Sequence, residues 1–302
     1  MSNYLGIDVG GTFIKYALIN GSGQIIESNK VSTPNNESAF LTTINQLIDL
    51  YKEQIKAVTI SSPGKVDTKE GIIHYGGALA FLDGLRLKEH ISKEFQLPSA
   101  IINDGKAAAL AEVWLGGLKG IEHGVCLTLG TGIGGGLVVN GKLLEGAHFQ
   151  AGEISFGVGS YDKTGIQAVV AEKGSAVGFV TQASQVLGLE DKLDGIKVFE
   201  ELEKKNELIY PLFQEFCQQI AVVIINIQSV LDMEKVVIGG GMSVQPLLIK
   251  EITEQYQALR HSLPMMENSL VEVRIESCQF KNNANLLGSL YHYLLMIENE
   301  NN

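Results

Sequence analysis

Three glycine-rich turns and two polar pairs carry the residue types that phosphate chemistry needs. The turns are Asp8-Val9-Gly10-Gly11-Thr12, Leu129-Gly130-Thr131-Gly132-Ile133-Gly134-Gly135-Gly136 and Ile238-Gly239-Gly240-Gly241, each directly after a short apolar run. A turn without Cβ atoms lets backbone N–H groups approach an anion closely, and such concavities attract phosphate. Asp8 ends its run beside the first turn, where a metal–phosphate group would sit, and Thr12 and Lys15 add a hydroxyl and a cation. Gly130, Thr131, Gly132 and Gly134 make a second cradle, and Gly239, Gly240 and Gly241 suit a chain passing along adenosine and ribose. Asn103-Asp104 follows the apolar Ala100-Ile101-Ile102, so Asp104 is placed to take a proton from a hydroxyl while Asn103 orients the hydroxyl's owner. Each feature also has a plain reading: a tight bend, an Asp capping a loop or a helix, and, for Glu153 in Ala151-Gly152-Glu153-Ile154, a surface carboxylate. Together they point to ATP cleavage.

The elements that must position these residues are legible from periodicity. Strands are expected over 4–8, 13–19 and 24–31, joined by glycine turns, the second being Asn20-Gly21-Ser22-Gly23. Phe40, Ile44, Leu47, Ile48 and Tyr51 recur at helical spacing over 38–53. The run Ala57–Ile60 reads as a strand ending in the turn sequence Ser61-Ser62-Pro63-Gly64, and a further strand leads through Asn103-Asp104 into an alanine-rich helix. The pattern then restarts at Val125–Leu129, with an Asn140-Gly141 hairpin, a long apolar-faced helix over about 209–231, a strand at Val236–Ile238 and a last helix from about Asn285 to Ile297. Two similar halves imply a duplicated α/β architecture with a cleft between them. The boundary is expected near Gly116-Gly117, giving domains 1–116 and 117–284.

The chain has 302 residues, enough for two cores, with 45% hydrophobic and 19% charged residues. A formal net charge of −11 argues against a nucleic-acid partner, since phosphate backbones are bound through excess Lys and Arg. Cys126, Cys217 and Cys278 lack any Cys-x-x-Cys spacing and suit core thiols in a reducing compartment. A strand almost at the N-terminus leaves no room for a signal peptide, and no apolar run is long enough to span a membrane, so a cytoplasmic protein is expected. The six His show no metal-ligand spacing; His148, close to Glu153, reads as structural.

The motifs Asp8–Thr12, Asn103-Asp104, Leu129–Gly136, Ala151-Gly152-Glu153 and Ile238–Gly241, in this order along essentially the whole chain, resemble the ROK family of sugar kinases and repressors. The resemblance implies the actin/hexokinase-like (ribonuclease H-like) duplicated fold, with the helix at 285–302 returning to the N-terminal domain. It implies ATP and Mg²⁺ as cofactors, Asp8 near the metal, and γ-phosphoryl transfer to a sugar hydroxyl. Asp104 would be the general base, Asn103, Glu153, Gly64 and Gly77 would line the sugar, and the protein would be a homodimer. Many family members place a His three residues after that Glu, then a cysteine-rich zinc loop. Here Phe156 stands at that position and 157–172 contains no cysteine, so no zinc is expected. Lys106 stands where the usual Asn-Asp-Ala-Asn motif has its second Asn, with no evident purpose.

Without zinc a plain glucokinase is disfavoured. Gly76-Gly77-Ala78-Leu79 and Gly146–Glu153 are similar to bacterial β-glucoside kinases, which implies the 6-hydroxyl of a β-glucoside such as cellobiose as acceptor. N-acetylmannosamine kinase and glucokinase are the alternatives. A sugar-responsive regulator would need a DNA-binding segment ahead of Asp8, where seven residues stand. An actin-like ATPase would have no use for the Asn103-Asp104 and Gly152-Glu153 pairs.

Overall fold

Glycine turns fold the first apolar runs back on themselves as β1 (Asn3–Val9), β2 (Phe13–Asn20) and β3 (Ile25–Ser32), an antiparallel meander. The Asn20 side chain accepts the N–H groups of Ser22 and Gln24, both at 3.0 Å, which shapes the second turn. Helix α1 (Glu37–Tyr51) starts where Asn36 caps the Ala39 N–H and buries Phe40, Ile44, Leu47, Ile48 and Tyr51. Strand β4 (Ile55–Ser62) then lies parallel to β1. It extends through Ser61 and Ser62, both fully buried, so these residues are strand rather than turn as their types suggest. A small ribbon of β5 (Lys65–Asp67) and β6 (Ile72–His74) precedes α2 (Leu87–Phe95), β7 (Ser99–Asn103) and α3 (Asp104–Leu115). The sheet order is β3-β2-β1-β4-β7.

The computed structural model describes residues 2–301, and the chain divides into two units. The first holds residues 1–115, 145–151 and 283–302; the second holds 116–144 and 152–282. In the second unit, β8 (Gly124–Leu129), β9 (Ile133–Val139) and β10 (Lys142–Leu143) form another meander. Helices α4 (Val170–Lys173), α5 (Ala176–Val186), α6 (Gly195–Glu203) and α7 (Tyr210–Leu231) lead to β11 (Lys235–Gly240). Helices α8 (Pro246–His261) and α9 (Pro264–Ser269) and strand β12 (Arg274–Ser277) complete it. Its order, β10-β9-β8-β11-β12, repeats that of the first sheet: three antiparallel strands, then two parallel ones reached through helices. Phe179, Phe199, Phe213 and Phe216 pack together in the core of this unit.

The last helix, α10 (Ala284–Asn301), packs on α3 in the first unit, and Trp114 stacks on Tyr291 at 5.1 Å. The two helices meet so closely at Gly288 that a Cβ there would lie 1.7 Å from the Ala107 carbonyl oxygen. Among the described residues no helix is long and apolar enough to cross a membrane.

Candidate active site

Asp8 is 7% exposed at the end of the central strand of the first sheet. Register sets Lys15 of β2 beside it on one side and Ser61 of β4 on the other. Ser61 Oγ donates to Asp8 Oδ1 at 2.6 Å, Asn285 Nδ2 of α10 donates to the same oxygen at 3.0 Å, and Lys15 Nζ stands 3.9 Å from Oδ2. Burying carboxylate oxygens costs free energy unless donors of this kind replace the lost water. The turn after it is tied down by the Gly10 N–H to the Phe13 carbonyl (3.1 Å) and by Thr33, which bonds the carbonyls of Thr12 (2.9 Å) and Gly10 (2.6 Å). A Cβ on Gly11 would meet no atom within 4 Å, so the folded chain gives no steric reason for glycine at this position.

Two strands over, β7 ends in Asn103, level with Ser62 of β4. Asp8 and Asn103 therefore stand at the carboxyl ends of the parallel strands β1 and β7, the edge at which open α/β sheets bind ligands. Asn103 Oδ1 accepts the Lys106 N–H at 3.1 Å, so Asn103, and not Asp104, caps α3. Asn103 Nδ2 donates to the Gly64 carbonyl at 2.9 Å and to Asp104 Oδ1 at 3.0 Å. That oxygen also accepts the Gly105 N–H at 2.8 Å. Two donors on one carboxylate oxygen hold the Asp104 carboxyl plane at the helix start. Gly64 is required by close packing, since a Cβ would lie 2.4 Å from the Tyr75 carbonyl oxygen; Gly77 is exposed, with Pro63 at 3.9 Å from its Cβ position.

The second unit gathers its turns at the corresponding end of its own sheet. Gly240 pairs with Leu129, and at φ +98° its Cβ position lies 2.1 Å from the Leu129 carbonyl oxygen, so only glycine fits. Gly239 backs onto Cys278 Sγ at 3.2 Å, while Gly241 and Gly130 have nothing within 4 Å. The Gly130 carbonyl accepts the Val177 N–H at the start of α5 (3.2 Å), and its N–H donates to the Gly132 carbonyl (2.9 Å). Thr131 is exposed at the tip, and Gly134 lies inside β9 opposite Thr128. The Glu153 loop is fixed against the same region. Gly152 crosses β9 so closely that its Cβ would lie 2.5 Å from the Gly135 carbonyl oxygen, and Ser155 Oγ bonds both the N–H (2.9 Å) and the carbonyl (3.2 Å) of Ile133. Glu153 is half-buried just before the short 3-10 turn Ile154–Phe156, and Phe156 is 74% exposed.

Ser61, Asn285, Thr33 and Ser155 carry no sequence signal for these roles. His148 is exposed. His292 in α10 is half-buried with its Nε2 shielded from water and unpartnered, and burial pushes its pKa down to about 4, so it stays neutral. Among the described residues no group of three or more His, Cys, Asp or Glu is placed to hold a metal ion.

The description of the ROK family fits residues 4–294. The chain is 32% identical over 292 residues to a β-glucoside kinase of Listeria innocua and 30% identical to that of Listeria monocytogenes, each match covering 95% of this chain and 96% of the relative. A ROK family protein from Streptococcus pneumoniae, solved in complex with sucrose, superposes with a TM-score of 0.88 at 26% identity, covering 98% of this chain and 99% of that one.

Proposed function

The chain belongs to the ROK family and is an ATP-dependent carbohydrate kinase, and we propose that its acceptor is the 6-hydroxyl of a β-glucoside such as cellobiose, with Asp104 as general base. The observation that carries the base is the clamped carboxyl: Asn103 Nδ2 and the Gly105 N–H fix Asp104 Oδ1 at the end of β7. Asp104 takes the proton of the acceptor hydroxyl as its oxygen bonds to the γ-phosphorus. The bond from that phosphorus to the β,γ-bridging oxygen breaks, and ADP leaves. Asn103 and Glu153 orient the sugar, and Gly64 and Gly77 line it.

The first turn (Gly10, Gly11, Thr12, with Lys15) and the second (Gly130, Thr131, Gly132, Gly134) receive phosphates, and Gly239–Gly241 lie along the nucleoside. Gly11, Gly130 and Gly241 support this assignment: a Cβ at each would meet no atom within 4 Å beyond its chain neighbours, so a ligand supplies a reason for glycine. Asp8, a hard oxygen donor beside an amide-lined turn, would hold Mg²⁺, which when bound would supply positive charge to offset that of the phosphates. The same reading takes the protein as a cytoplasmic homodimer.

The acceptor choice rests on the two Listeria relatives and on Phe156, whose exposed ring, three residues after Glu153, offers a face to a second sugar or an aglycone. ADP release measured with cellobiose, gentiobiose, salicin, glucose and N-acetylmannosamine tests it. A higher kcat/KM for cellobiose or salicin is expected; a clear preference for glucose or N-acetylmannosamine overturns the acceptor and leaves the kinase.

A further inference from the structure

Lys106 is a cation buried to 2% exposure, and phosphoryl transfer as derived above has no use for it. A desolvated ammonium needs acceptors around it. Its Nζ donates to the carbonyl oxygens of Phe149 at 2.8 Å and Glu145 at 3.4 Å. Both acceptors lie on residues 145–151, the strap that leaves β10, runs within the first unit and continues directly into Gly152-Glu153. Two further bonds shape the strap: Thr68 Oγ1 donates to Glu145 Oε1 at 2.7 Å, and the Ala151 N–H donates to the Glu145 carbonyl at 3.1 Å. Phe149 sits at φ +57°, a left-handed backbone that disfavours an ordinary side chain. Lys106 holds the carbonyl of that residue. The buried charge and the strained turn thus stabilise each other.

We propose that Lys106 is a positioning residue for the acceptor: by clamping the strap at Glu145 and Phe149 it fixes the backbone that enters Gly152-Glu153, and so the placing of the Glu153 carboxylate on the sugar. Lys106 follows Asp104 by two residues on α3, so one rigid element carries the base and anchors the strap. The proposal rests on the reading of Glu153 as a sugar ligand.

The test compares Lys106→Met, Lys106→Arg and Glu153→Gln by steady-state kinetics and by hydrogen exchange at 145–151. Lys106→Met is expected to raise the acceptor KM about tenfold while the ATP KM stays within about twofold. It also speeds exchange of the Ala151 amide, and Lys106→Arg restores part of both. Glu153→Gln raises the acceptor KM with strap exchange unchanged. A wild-type acceptor KM in Lys106→Met, or an equal rise in both KM values, overturns the clamp while a raised KM in Glu153→Gln leaves the premise standing. A wild-type acceptor KM in Glu153→Gln removes the premise and the proposal with it. If Lys106→Met does not fold, Thr68→Val removes the other side-chain hold at little change in volume. It should show the same pattern more weakly, and an unchanged acceptor KM there also overturns the proposal.

Discussion

Two adjacent glycines in the third turn should respond to alanine in opposite ways. At Gly240 the backbone has φ +98°, and a methyl group would lie 2.1 Å from the carbonyl oxygen of Leu129 and 2.8 Å from its carbon. Leaving glycine's conformational range costs roughly 1–2 kcal/mol. The contact must also open by about 1 Å, which forces β8 and β11 apart where they pair, and overpacking of this kind costs roughly 1–3 kcal/mol. Gly240→Ala is therefore expected to destabilise the second unit by about 2–5 kcal/mol. At Gly241 no atom lies within 4 Å and φ is not left-handed, so alanine should change stability by less than about 0.5 kcal/mol. Its methyl group would instead meet the nucleotide, and the ATP KM should rise by an order of magnitude, about 1.4 kcal/mol of binding. Urea unfolding and ATP-dependent initial rates measure the two effects. A wild-type ATP KM in Gly241→Ala would refute the nucleotide assignment, and a Gly240→Ala protein as stable as wild type would refute the steric argument.

Gly288→Ala places a methyl group 1.7 Å from the Ala107 carbonyl oxygen between α3 and α10, so a loss of roughly 3 kcal/mol or more is expected in urea unfolding; a loss under about 1 kcal/mol would mean that the helices part easily. His292 has its folded pKa pushed down to about 4, from an ordinary 6.5, chiefly by burial. The unfolded chain therefore binds the extra proton first, so stability is full above about pH 6.5 and falls as pH drops towards 4, by up to about 3 kcal/mol. His292→Leu should flatten that part of the acid limb, whereas identical slopes in wild type and variant between pH 7 and 5 would exclude this source.

Local signals served well where local chemistry decides the outcome. Asn140 and Gly141 adopt φ +53° and +69°, as an Asn-Gly hairpin requires, and the five apolar residues spaced along α1 are all buried. Helix α7 runs from Tyr210 to Leu231, close to its apolar stripe. Asn103-Asp104 stands out because it ends an apolar run, although the plain reading of its residue types puts the helix cap one residue late, at Asp104. The structure gives the cap to Asn103 through the Lys106 N–H. Long-range partners were not legible. Ser61 and Asn285 hold Asp8 from 53 and 277 residues away, and neither residue type suggests it. Helix α2 buries only Leu87 and Ile91, too few apolar positions to stand out, and β12 is four residues long. The strap at 145–151 has no periodicity at all, being held by Lys106 and Thr68 rather than by a core face.

The central claim is that Asp104 removes the acceptor proton during phosphoryl transfer, and Asp104→Asn tests it most directly. Asparagine keeps an Oδ1 able to accept from Asn103 Nδ2 and the Gly105 N–H, so the helix start and both ligand sites should survive the change. Calorimetry of ATP and acceptor binding, paired with ADP release at saturating substrates, is expected to show near-native affinities and a turnover lowered by roughly 10²–10⁴, the usual contribution of a positioned base. Turnover near the wild-type rate with both ligands bound would contradict the account.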